Sequence, residues 1–260
     1  MSGEAASSAL ALLAVAVPAY LLAGAIKGLI GIGLPTMAIG LTAQFVEARE
    51  AIALVLVPML VANAWQVARS GAPGAVVGRV WRGYRPLLVS MLAAIGLVAL
   101  VAPRVSPAHV TFALGTVMTL FALASLWREP PALPDRHDRA AQTLTGVLSG
   151  AIGGIAGIWA PPIIVYLGAR RLAREAFVET VGVLLFGGSL VLIVGYAIAG
   201  LLTAETAARS LLLIAPAIAG FAVGERLRRR VPAERFRQLV LGFFLVMGVN
   251  LVRRAVSGAP

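Results

Sequence analysis

Between Ala51 and Ala68 the sequence reads AIALVLVPMLVANAWQVA, eighteen residues without one charged side chain. Wound as a helix at about 1.5 Å per residue, such a run covers most of the roughly 30 Å hydrocarbon core of a bilayer. Similar blocks run from Pro86 to Ala102, Ala108 to Trp127, Ala176 to Leu202, Ser210 to Gly224 and Leu239 to Val252. Six of them exceed what a soluble domain can cover, and 60% hydrophobic residues against 13% charged fit the same conclusion. The fold class predicted is an all-α polytopic membrane protein. A membrane barrel is excluded because its strands need only about 10 residues each and alternate with period two.

The formal net charge of +11 raises nucleic acid as a partner, but the arginines sit in the breaks between apolar blocks, where the positive-inside rule places them. No nucleic-acid partner is expected. With no cysteine in the chain there is no disulfide, thiolate metal site or cysteine nucleophile, and neither a metal nor a cofactor is expected. The apolar block from Ser8 follows Glu4 and no basic residue, the wrong flank for a signal peptide, and reads as a retained membrane segment.

Two blocks are the wrong length. Ala141 to Gly168 holds 28 residues, which is too long for one upright span and too short for two. Ser8 to Gln44 has the same problem, and both are interrupted by glycines followed by proline, GIGLP at Gly31 to Pro35 and GGIAGIWAPP at Gly153 to Pro162. Each reads as a helical hairpin of two shorter helices joined by a break. If both hairpins return to their own side, the breaks at 69–85, 128–140, 169–175 and 225–237 share one face with 16 arginines, against 5 on the other. That bias places those four loops in the cytoplasm and both termini in the periplasm.

The sequence also repeats. Ala48-Arg49-Glu50-Ala51 recurs as Ala173-Arg174-Glu175-Ala176 at an offset of 125, and Gly24, Gly28 and Gly31 map to Gly146, Gly150 and Gly153 at an offset of 122. Pro35 maps to Pro161 at 126. The chain divides into a first repeat half at 1–127, a polar cytoplasmic linker at 128–140 and a second half at 141–260, within one integral membrane domain. Three spans separate the two tetrapeptides, so the repeats are expected to be inverted, each a broken hairpin followed by three transmembrane helices.

The motifs GAIKGLIGIGLPTMAIGL and GVLSGAIGGIAGIWAPPIIVY resemble the glycine-rich, proline-terminated motifs of the TauE/SafE sulfite exporter family, also called the 4-toluene sulfonate uptake permease family (TSUP). The resemblance covers nearly the whole chain. It implies a permease of the bacterial inner membrane that moves a small anion, a sulfur oxyanion or an organosulfonate, by alternating access. It leaves the particular anion, the direction and the oligomeric state open. Lys27 in the first motif and Trp159 in the second depart from commoner members.

Pro35, and Pro161 or Pro162, suit the first turn of a helix because proline has no N–H to lose there. Each marks a half-helix N-terminus inside the membrane, with about half a positive charge and unsatisfied N–H donors, so two such ends brought together would bind an anion without a charged side chain. The candidate substrate-binding residues are Lys27, Gly31, Gly33, Pro35, Thr36, Gly153, Gly154, Gly157, Trp159 and Pro161. At the break glycines, contribution to the site and mere permission of the turn are both open, whereas Gly24 and Gly28 read as packing positions. For Thr36 a local backbone bond competes with a substrate contact.

An ammonium at the bilayer centre costs about 2.5–3.5 kcal/mol on insertion scales, so Lys27 demands a reason. It attracts the anion, neutralises the carbonyl end of its own helix or snorkels to a surface; about nineteen apolar or small residues before it place snorkelling last. Its repeat counterpart is Ser149. Asn63, Gln66, Ser149, Glu179 and Thr180 are candidates for polar lining or coupling, with helix-to-helix hydrogen bonding the default for Asn63 and Gln66. Glu179, near Glu175 at the cytoplasmic end of its span, reads first as a solvated carboxylate and second as a relay for a coupling proton or ion. Trp65, Trp81, Tyr84 and Trp127 lie near span ends, as an aromatic belt would.

Two other classes compete. An intramembrane lipid-phosphate enzyme needs clustered carboxylates or a histidine with an arginine-serine set at membrane depth. Here His109 and His137 lie at a span end and in the linker, so no enzyme is expected. A non-transporting membrane assembly subunit is the second alternative, and flux through purified protein separates it from a permease.

Overall fold

A computed structural model describes residues 2–30, 33–126, 131–227 and 233–258. Among these the chain is helical, with no strand: α1 Ser2–Ile30, α2 Leu34–Thr42, α3 Ala48–Ala68, α4 Pro73–Val101, α5 Pro107–Leu126, α6 Asp138–Ala156, α7 Ala160–Ala169, α8 Arg174–Ile198, α9 Ala204–Leu212, α10 Ile214–Leu227 and α11 Ala233–Ser257. Seven stretches are long and apolar enough to cross a membrane: α1, α3, α4, α5, α8, the α9–α10 pair and α11. The protein is an all-α polytopic membrane protein, and α2 and α7 are its short apolar half-helices. Trp127 and Gly31 lie outside the described residues.

Two expectations need correction. The stretch 69–85 is not a loop: α4 starts at Pro73 and continues through it. Proline is preset for a first helical turn, and Val76 and Val80 supply a buried stripe while Arg79, Arg82 and Arg85 stay exposed. The helix kinks at Tyr84 (φ −129°, ψ 26°), two residues before Pro86, whose ring has no N–H and clashes with the preceding turn. The block expected from Ser210 to Gly224 begins at Ala204 and bends at Leu213, between α9 and α10. Pro216, in the first turn of α10, removes the N–H that would have continued the helix there.

The chain forms two compact units, each drawing helices from both halves of the sequence. One comprises Met1–Pro58, Pro107–Leu126 and Ala204–Pro260; the other comprises Met59–Ser106 and Trp127–Thr203. In the first, α1 lies against α10 with backbone touching backbone. A methyl group added at Gly24 would land on the carbonyl of Ala217, one at Gly28 on that of Phe221, and in return Gly220 and Gly224 face the carbonyls of Leu21 and Ala25. In the second, Gly146 and Gly150 of α6 face the carbonyls of Leu87 and Met91 on α4 in the same manner. Lipid tails are as apolar as leucine, so close van der Waals approach over small residues is what drives such helices together. The glycine pairs that the sequence relates at an offset of 122 thus each build the main seam of their unit.

The second broken block is a hairpin that returns to its own side. The Asp138 carboxylate, at the start of α6, accepts a hydrogen bond of 2.7 Å from the Tyr166 hydroxyl on α7 and lies 3.4 Å from Arg170 beyond its end. The N–H of Leu133, ahead of α6, donates to the carbonyl of Ala169 at 3.1 Å.

Gly28→Leu and Gly150→Leu are expected to destabilise the folded protein by about 1–3 kcal/mol or more through overpacking. Gly242→Ala in α11, where an added methyl meets nothing within 4 Å, is expected to be neutral or slightly stabilising. Melting temperatures of the three variants in detergent check this.

Candidate functional site

In the second unit, α6 ends at Gly157, whose left-handed backbone (φ 68°, ψ 11°) turns the chain and lets its N–H reach the carbonyl of Gly153 at 2.9 Å. A left-handed position costs a residue with a Cβ about 1–2 kcal/mol, which is why glycine stands there. Two residues later Trp159 occupies the N-cap of α7, with Pro161 and Pro162 in the first turn and no side chain capping the helix. The two prolines leave that turn few N–H donors, and those it keeps, such as that of Ala160, have no side-chain cap.

Trp159 is itself 2% exposed, and its indole spans two glycines. A Cβ at Gly153 on α6 would come within 2.9 Å of the Trp159 Cβ, and one at Gly188 on α8 within 2.6 Å of Nε1. The ring is a strut between the two helices, and only glycine on both sides leaves room for it. Its Nε1 has no hydrogen-bond partner, nor has the Oγ of Ser149, fully buried one turn before Gly153. Two neutral polar groups are thus left without partners close to the break, where a polar guest would satisfy them. Gly154 turns the other way, toward Val98 and Ala99 of α4, and belongs to the α4–α6 seam.

In the first unit, the corresponding break brings the chain through Gly33, left-handed at φ 100°, into α2 with Pro35 in its first turn. Gly33 lies beside the side chains of Ile26 on α1 and Phe244 on α11. Again no side chain caps the helix, and its first turn, Thr36 included, is buried. Lys27 stands in the last turn of α1, three residues before the helix ends, and is 1% exposed. That burial leaves no room for snorkelling. The position, in the last turn of α1 and six residues before Gly33 in the sequence, is compatible with both remaining roles.

The other polar candidates lie in the second unit. Asn63 donates to the carbonyl of Leu185 at 3.3 Å and to Ser189 Oγ at 3.1 Å, and Gln66 donates to the carbonyl of Val178 at 3.3 Å. Both fasten α3 to α8. Glu179 forms an ion pair of 3.2 Å with Arg79 on α4, and buried Thr180 follows it. Trp65 and Trp81 are about half exposed, each with an arginine guanidinium near its ring, Arg69 at 6.0 Å and Arg85 at 5.2 Å.

A family model described as Sulfite exporter TauE/SafE matches residues 16–251. The chain belongs to this family. It is a membrane transporter, in keeping with its seven stretches long and apolar enough to cross a membrane. Neither a curated protein nor a solved structure matches it.

Sequence reasoning missed several residues of this TauE/SafE protein. Gly188 pairs with Trp159 across 29 positions, and Arg79 reaches Glu179 across 100. The clasp of Asp138, Tyr166 and Arg170 was hidden in what read as a plain linker and span end. An aspartate opening a helix was its one local signal. Hydrogen bonding to Asp135 raises Arg170 above the usual arginine range and keeps it charged.

Gly188→Val is expected to push the Trp159 indole off α8 and lower the melting temperature, an overpacking cost of about 1–3 kcal/mol. Adding Trp159→Leu should restore part of that loss, because a smaller side chain relieves the clash. The check is the melting temperature of both single variants and the double variant.

Proposed function

We propose that this TauE/SafE protein is a secondary transporter that carries a small anion, a sulfur oxyanion such as sulfite or an organosulfonate, across a bacterial inner membrane by alternating access. The observation that carries this reading is that each unit holds a short half-helix, buried in α2 and partly buried in α7, that follows a left-handed glycine, is opened by proline and is capped by no side chain. A helix start of this kind offers N–H donors and partial positive charge to an anion. Gly33, Pro35 and Thr36 shape the α2 end, and Gly153, Gly157, Trp159 and Pro161 shape the α7 end; Gly31, also proposed for the site, lies outside the described residues. Ser149 and Trp159 add neutral donors. The two breaks are the discontinuous helices of an inverted repeat, a plan supported by the equivalent glycine seams of α1 and α6.

Among the described residues Lys27 is the lysine or arginine nearest in sequence to a break. A unit charge about 4 Å from an anion contributes about 4 kcal/mol at an effective dielectric near 20, before desolvation is subtracted. Lys27→Met removes that charge and keeps most of the stem. It is expected to weaken sulfite binding tenfold or more and to slow flux into proteoliposomes, with the fold retained. Binding and melting temperature measured on one preparation decide the matter: unchanged affinity with lowered stability assigns Lys27 to the end of α1 alone. The topology is tested separately, by labelling single cysteines at positions 3, 135 and 258 in intact cells. Positions 3 and 258 are expected to react from the periplasm and 135 only from the cytoplasm.

A further inference from the structure

The second unit holds a cavity of about 380 Å³ remote in sequence from either break, lined among others by Arg79 and Tyr84 of α4, Asp138 of α6, Arg170, and Glu179 and Thr180 of α8. This is the size of a small-molecule site. Its charged groups are not equally engaged. Asp138 accepts from Tyr166 at 2.7 Å and from Gln142 at 2.9 Å and pairs with Arg170, which also holds Asp135 at 2.8 Å. Those three groups are committed to closing the hairpin. Arg79 and Glu179 are held by one contact of 3.2 Å, and the Arg79 side chain is 62% exposed. A pair so open to water contributes little to stability, so a competing ion can replace either member.

The surrounding charge selects which. The three stretches around the cavity, residues 78–85, 135–139 and 170–179, carry eight arginines against four carboxylates. Such an excess concentrates anions and repels cations. We propose that the cavity is a second anion site, separate from the breaks, in which a small oxyanion takes the place of Glu179 on Arg79. The guanidinium presents a planar fork that matches an oxyanion bidentately. Thr180 and Tyr84 line the same space with hydroxyl groups.

The test is isothermal titration of the detergent-purified protein with inorganic sulfate at fixed ionic strength, in the wild-type and the Lys27→Met backgrounds. Glu179→Gln removes the competing carboxylate and is expected to tighten sulfate binding severalfold in both backgrounds, a gain that misfolding cannot produce. Arg79→Gln is expected to abolish that component. Unchanged or weaker binding in Glu179→Gln, or full binding in Arg79→Gln, overturns the proposal. Since neither residue belongs to a break, that result leaves the reading of α2 and α7 standing, and loss of affinity in Lys27→Met beside a retained gain in Glu179→Gln leaves the cavity standing.

Discussion

Backbone polar groups inside hydrocarbon must find partners within the protein, because no water is present to take them, and a helix that breaks in the membrane releases several at once. Every unusual position in this chain answers that constraint. Gly157 turns its N–H back onto the Gly153 carbonyl at 2.9 Å, so the end of α6 is closed before α7 begins. Prolines stand where an N–H has no intrahelical use, at the starts of α2, α4 and α7. At Pro58 inside α3 the repair comes from elsewhere: the proline leaves the Leu54 carbonyl without its i+4 donor, and the buried Ser210 hydroxyl of the α9 helix donates to it at 2.7 Å. The first turns of α2 and α7 have no side-chain cap, and on the function proposed above an anion meets them there.

The glycine seams follow from the same solvent. With no hydrophobic gain in bringing helices together inside lipid, association rests on close contact and on a few interhelical hydrogen bonds. Gly24, Gly28, Gly220 and Gly224 keep side chains out of the closest points of the α1–α10 contact, and Gly146 and Gly150 do the same on α6. Asn63 and Gln66 supply hydrogen bonds between α3 and α8. Closeness at the seams holds the helices that carry each break, so the seam glycines act on the site through position and the break glycines through conformation.

That division explains what could be read from the sequence. The spans, the two breaks and the spacing of Gly24 with Gly28 are local patterns, set by hydropathy, proline and small-residue periodicity, and they were visible. The helical character of 73–85 was obscured because its arginines suggest a loop, although Val76 and Val80 mark a helical stripe. Gly154 looks like a break residue but faces Val98, since a shift of one position along α6 turns a side chain by about 100° onto another neighbour. The closure of the α6–α7 hairpin by Asp138, Tyr166 and Arg170, and the fit of Trp159 against Gly188, depend on residues far apart in the chain that no local pattern links.

Both breaks hold a left-handed glycine ahead of a proline-opened half-helix, and they differ in chemistry. At the first, the buried ammonium of Lys27 stands within a turn of the end of α1. At the second, the equivalent position is Ser149, and the nearby polar groups are its hydroxyl and the indole N–H of Trp159, both neutral. A full charge in a poorly hydrated place acts over several ångströms, whereas neutral donors act only at hydrogen-bonding distance and in a fixed direction. On the function proposed here, the α2 end therefore governs how strongly an anion is held and the α7 end governs which shape is accepted. Changes of charge at position 27 would then alter affinity for all anions together, while changes in the size of residue 159, or of its glycine neighbours at 153 and 188, would alter discrimination among them.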